Sequence, residues 1–114
     1  DNKSIKKLNL NSNAENPISS LKNIPTELLP LIPGYLENRS KELLELRSRL
    51  AANDLEEIKK IGHKLAGNAG SYGFEDLGTI GAKLEAALNT DNINDLLAEY
   101  ERLLKVYLQD AKSL

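Results

Sequence analysis

Residues 62–74 read GHKLAGNAGSYGF and hold the chain's single histidine, His63, with four of its seven glycines. An imidazole can take up a proton or a transferred group near neutral pH. Its surroundings decide which chemistry is open to it. A Ser–His–acid triad needs a nucleophile within hydrogen-bonding reach of the ring, and Ser71 stands two helical turns away. No nucleophile-elbow pattern occurs. Structural zinc needs several cysteine or histidine ligands, and the chain has one histidine and no cysteine. GNAGSYG lacks the Gly-Lys-Ser/Thr ending of a phosphate-binding loop, and no strand pattern precedes it, so ATP binding is unsupported. What remains for a solitary exposed imidazole is nucleophilic catalysis in its simplest form, accepting a group and passing it on. Lys59, Lys60 and Lys64 bring positive charge within a turn of the ring, which favours a phosphoryl group. Lysines on an exposed helix face are otherwise ordinary solvated side chains.

That chemistry requires the ring to point outward. At about 100° per residue, Ile58, Ile61, Leu65, Ala69 and Tyr72 fall on one side of a helix, the side that faces a core. His63 falls nearly opposite, with Glu56, Lys59, Lys60, Gly67 and Gly70. Glycine inside a helix costs roughly 1 kcal/mol relative to alanine, so Gly67 and Gly70 call for a reason. One and two turns beyond His63, they leave the imidazole clear and the backbone open to a partner's approach. Close helix packing, the competing explanation, suits Ala69 on the core side better. Gly62 has a phase beside neither the imidazole nor the core stripe, and this reading assigns it no role.

The elements that must carry the histidine are also legible. Residues 1–24, rich in Asn, Ser and Lys, read as a linker or weakly ordered segment; residues 25–114 read as the folded unit. Thr26 is placed to cap a first turn, and Pro33 suits the opening of a helix running to about Ala52, with Leu36, Leu43, Leu46 and Leu50 inward. Asp54 followed by Glu57 is a capping-box arrangement for a second helix to about Tyr72, with Gly73 as its stop. A third helix carries Phe74, Leu77, Ile80, Leu84 and Leu88, and NTDN at 89–92 separates it from a fourth. There Ile93, Leu96, Leu97, Tyr100, Leu104, Tyr107, Leu108 and Ala111 keep helical period. Short connections make consecutive helices antiparallel neighbours, which predicts an all-α, up-down four-helix bundle after a short N-terminal helical segment.

Composition agrees with that class. The 114 residues suffice for one core, the apolar 40% is mostly Leu, Ile and Ala, and there is no Trp. A net charge of −2 with both signs mixed gives no reason to expect nucleic acid or membrane contact. No apolar run approaches the roughly 20 residues of a membrane span. The absence of cysteine fits a reducing compartment, so a cytoplasmic setting is expected. The absence of methionine, even at position 1, is expected of a processed product or a domain cut from a longer protein. One exposed histidine per bundle needs no second copy, so a monomer is expected.

HKLAGNAGSYGFEDLGTIGAKLE resembles the signature of histidine-containing phosphotransfer (HPt) domains of bacterial two-component phosphorelays, at His63, Leu65, Gly67, Ala69, Gly73, Leu77, Leu84 and Glu85. LIPGYLENR and the AAND turn are similar to the family as well, and the likeness spans roughly residues 25–110. The resemblance implies a four-helix bundle without ATP-binding or kinase elements of its own. It implies that His63 accepts a phosphoryl group, on Nε2, from a response-regulator receiver-domain aspartate and passes it to or from another receiver. Glu85 would fix the tautomer by accepting a bond at the other ring nitrogen. Mg²⁺ would belong to the receiver, so no cofactor is expected here. Leu31, Ile32 and Tyr35 are candidates for docking, and a hybrid histidine kinase in the same chain is a further candidate partner. The sequence departs from the family at Ala66, where the family carries a lysine that helps balance the phosphoryl charge. Lys59, Lys60 or Lys64 would have to substitute. The alternative function is an HPt-like binding module that docks receivers without transferring phosphate.

Overall fold

The computed structural model describes Leu21 and residues 24–114, so the linker expected over residues 1–24 lies almost wholly outside the described residues. Leu21 and Ile24, near the end of that stretch, are buried. A 3-10 helix, Thr26–Leu31, leads into four α-helices: α1 (Ile32–Ala51), α2 (Leu55–Ser71), α3 (Glu75–Ala86) and α4 (Thr90–Ala111). Each α-helix packs on two others in a closed ring, α1 on α2, α2 on α3, α3 on α4 and α4 back on α1. The bundle predicted from hydrophobic period is therefore what forms. Its axis is filled by Leu36, Leu46, Ile58, Leu65, Leu77, Leu84, Ile93, Leu97 and Tyr100, all essentially without solvent exposure.

The three-residue connections explain why the helices stop where they do. α1 ends with Asn53 in the left-handed region at φ 57°. Asn53 N–H closes on the Leu50 carbonyl at 2.9 Å and Asp54 N–H on that of Arg49 at 2.8 Å. Asparagine tolerates this backbone better than any other side chain except glycine's absence of one. The same pair of bonds recurs after α2: Gly73, at φ 88°, donates to Gly70, and Phe74 donates to Ala69. Gly73 is the stop its position predicts.

Several local expectations are corrected. Asp54 does cap α2 by accepting from Glu57 N–H at 3.3 Å. Only half of the capping box forms, because Asp54's own N–H already serves the end of α1. Thr26 opens the 3-10 helix but makes no side-chain cap; Pro25 holds the capping position. Asn89 caps α4 by accepting from Asn92 N–H at 2.8 Å, so residues 90–92 lie within α4 rather than between helices. Leu88 follows the end of α3 and is 85% exposed, outside the core.

The tightest packing is between α2 and α3. A Cβ placed on Gly81 would lie 2.6 Å from the Ala66 nitrogen and 2.7 Å from the Gly62 carbonyl. Only two facing glycines let backbones approach that closely. By contrast, a Cβ on Gly67 or Gly70 would meet nothing within 4 Å. The two sites make opposite predictions. Gly81→Ala is expected to destabilise the fold by about 1–2 kcal/mol after its helix-propensity gain, because backbone atoms cannot yield. Gly67→Ala is expected to stabilise it by roughly 0.5–1 kcal/mol. Urea denaturation of both variants measures the contrast.

Candidate functional site

His63 sits in the middle of α2, with 75% of its side chain exposed. The buried stripe of α2 is Ile58, Ile61, Gly62, Leu65 and Ala69, which leaves the imidazole on the outer face. Tyr72, expected on that stripe, is the residue just beyond the helix and is half-buried. Two groups of contacts hold α2 in this rotation. On the α1 side, Asn68 accepts from the Tyr35 hydroxyl at 2.6 Å and from Arg39 Nη1 at 3.0 Å. Arg39 also lies over the Tyr35 ring, which in turn stacks on Tyr72 at 4.3 Å. On the other side, the glycine contact fixes α2 against α3.

The α1 anchor is itself tied to α4. Tyr100 donates its hydroxyl hydrogen to Glu42 Oε1 at 2.7 Å and also faces the Arg39 carbonyl at 3.2 Å. Burial, with the Glu42 carboxylate beside it, pushes the Tyr100 hydroxyl far above the usual phenol range, so it remains a donor. Burial likewise raises the Glu42 carboxyl, opposed by the Tyr100 hydrogen bond and by Arg39, whose Nε lies 3.5 Å away. Near the other end of the pair, Arg47 and Glu101 meet at 2.7 Å. None of Tyr35, Arg39, Asn68, Glu42 or Tyr100 figured as part of a supporting network in the sequence. Each is a polar residue whose partner lies on another helix, which helical period cannot reveal.

Glu85, on the last turns of α3, reaches across to the imidazole: His63 Nδ1 lies 3.0 Å from Glu85 Oε2. A carboxylate oxygen accepts from Nδ1 when the imidazole hydrogen is on that nitrogen, the arrangement that leaves the Nε2 lone pair bare. With His63 75% and Glu85 47% exposed, the contact adds little to stability. Its consequence is orientation and tautomer.

A side chain on a helix leans toward the helix N-terminus. The ring therefore overhangs the preceding turn, and it lines a surface hollow with Glu56, Glu57, Lys59, Lys60, Lys64 and Glu85. Among the described residues none of these three lysines forms an ion pair. Lys64 also borders a second hollow shared with Arg39 and Glu42 of α1. The turns after the ring are bare: Ala66 is half-buried, and Gly67 and Gly70 are exposed with open space around them. The structure thus brings His63, Glu85 and the three lysines together and sets the glycines apart on the opposite side of the ring.

Two of the three docking candidates are not surface residues. Ile32 is fully buried and Tyr35 is 7% exposed, because the face of α1 that carries them is the face packed into the bundle. Leu31, on the preceding 3-10 helix, is 53% exposed. Among the described residues no three His, Cys, Asp or Glu side chains are grouped so as to hold a metal ion. No described helix is long and apolar enough to cross a membrane.

The four-helix ring is matched at the level of family. We find no match among curated proteins or among solved structures. The family model of the Hpt domain, however, matches residues 32–113, from the first residue of α1 to just beyond α4. That span covers most of the chain and the whole ring of helices, and the chain belongs to the Hpt domain family, the histidine phosphotransfer modules of phosphorelays, which interact with receiver domains and are not themselves kinases.

Proposed function

We propose that His63 is the phosphoacceptor, that its Nε2 is the reacting atom, and that its donor is the aspartyl phosphate of a receiver domain. The observation that carries this reading is the Nδ1–Glu85 contact at 3.0 Å on a ring that is otherwise open to solvent. The Nε2 lone pair attacks phosphorus as the bond to the aspartate oxygen breaks, and the receiver keeps its carboxylate. The phosphorylated ring then carries positive charge with hydrogen still on Nδ1, and Glu85 offsets that charge. Reversal of the same step on a second receiver carries the group onward. The protein supplies alignment and charge balance rather than covalent help. Gly67 and Gly70 leave the flank of the ring open, and a single bundle suffices for the step.

The charge balance comes from the lysines on either side of the histidine. The hollow that holds the ring contains Lys59, Lys60 and Lys64 against Glu56, Glu57 and Glu85. Removing a lysine tips it toward negative, which opposes an incoming phosphoryl anion. Ala66 contributes no charge from the following turn.

Incubation with a phosphorylated receiver is expected to place acid-labile, alkali-stable label on the protein and none on His63→Gln. Persistent label in that variant contradicts the assignment. The lack of a lysine at position 66 favours one second reading, a module that docks receivers without transfer. It predicts receiver binding with no label on the native chain. For the lysines, the double substitution Lys59→Ala with Lys60→Ala is expected to slow phosphoryl uptake about threefold to tenfold at low salt, shrinking as ionic strength rises. Stopped-flow or quench measurements at two salt concentrations check this.

A further inference from the structure

Gly62 precedes the histidine and is buried on the edge of the core stripe that faces α3. A Cβ there would lie 2.7 Å from the Gly81 carbonyl oxygen, 2.9 Å from Leu84 Cβ and 2.9 Å from the backbone nitrogen of Glu85. Two of those three atoms are backbone and cannot turn aside. The third contact matters most, because Glu85 is the residue whose carboxylate meets the imidazole. The missing side chain at position 62 therefore sets how near the Glu85 backbone comes to the helix that carries His63.

We infer that Gly62 is a positioning residue for phosphotransfer: its bare backbone holds α3 close enough for Glu85 to fix the Nδ1–H tautomer of His63. The inference rests on the reading of His63 Nε2 as the reacting atom. With any side chain at 62, α3 must retreat until the contacts reach the ordinary 3.4–4 Å range. That retreat draws Glu85 away from the ring, lengthening and weakening the Nδ1···Oε2 contact that is 3.0 Å in the native arrangement. A freed imidazole favours hydrogen on Nε2, the atom that must be bare to attack phosphorus. The competent fraction falls, and the rate falls with it.

Gly78 offers a control on the same interface. A Cβ there would meet its nearest neighbour, the Ala66 carbonyl oxygen, at 3.5 Å, an ordinary contact that needs no movement.

The test uses the full chain and reads two quantities. The first, which needs no phosphoryl donor, is the tautomer of His63 from the ¹⁵N shifts of its ring. Native protein and Gly78→Ala are expected to show hydrogen on Nδ1, and Gly62→Ala to shift toward Nε2. The second is the rate of uptake from a phosphorylated receiver, expected to fall on the order of fivefold in Gly62→Ala. In a background of Glu85→Ala, the same Gly62 substitution is expected to cause no further drop, since it acts through Glu85. If Gly62→Ala does not fold, Glu85→Asp shortens the reach without touching the helix contact and is expected to give the same tautomer shift. A native tautomer in folded Gly62→Ala, or in Glu85→Asp, overturns the inference, as does a further rate loss in the Glu85→Ala background. Absence of label on native protein with the tautomers as expected would instead count against His63 as phosphoacceptor.

Discussion

The close backbone approach of α2 to α3 at Gly62 and Gly81 is the contact on which the site depends. It joins helices across a gap that no side chain can occupy, and so fixes their separation more sharply than side-chain packing would. A leucine or valine at either position would push the axes apart, and the carboxylate of Glu85 would no longer meet the imidazole. The remaining pieces act in series with this contact. The Tyr35–Asn68–Arg39 cluster sets the rotation of α2, and the Tyr100–Glu42 bond ties that cluster to α4. A modest exposed hydrogen bond thus inherits its geometry from buried contacts on both flanks.

The same helix divides its surface by size and charge. Before the ring and directly beside it, at Lys64, stand long side chains of both signs; further toward the C-terminus stand Ala66, Gly67 and Gly70. Because helical side chains lean toward the N-terminus, the charged turn is the one the ring overhangs. Lys59, Lys60 and Lys64 line the same hollow as the ring, so the cations nearest the imidazole are these three. The uncharged residue at 66 leaves the following turn smooth, a flat surface with exposed backbone for a partner to cross.

The architecture was legible because the stripes of α2 and α4 keep period, and because Asp54 and Gly73 mark the start and the end of α2. His63 facing outward followed from the phase of Ile58, Ile61, Leu65 and Ala69. What period alone could not yield is anything that depends on a second helix. Gly62 had no role by phase because a helix packed between two neighbours buries a wide arc, and only the position of α3 shows that residue 62 falls within it. Ile32 and Tyr35 were misplaced for a related reason: the face of α1 that carries them packs into the bundle, where neighbouring helices cover both. Asp54 shows the limit of local motifs, since its N–H was claimed by the preceding helix before a capping box could close. Leu88 continues the apolar period of α3 but stands just past its end at Ala86, where the chain has left the helix.

The central claim is that the outward nitrogen, Nε2 of His63, receives the phosphoryl group while Nδ1 stays bound to Glu85. Phosphorylating ¹⁵N-labelled protein from a phosphorylated receiver, then recording long-range ring correlations with phosphorus coupling, reads the site atom by atom. The account predicts coupling of phosphorus to Nε2 of His63 with hydrogen retained on Nδ1. Phosphorus coupled to Nδ1, or found on any other residue, would contradict it.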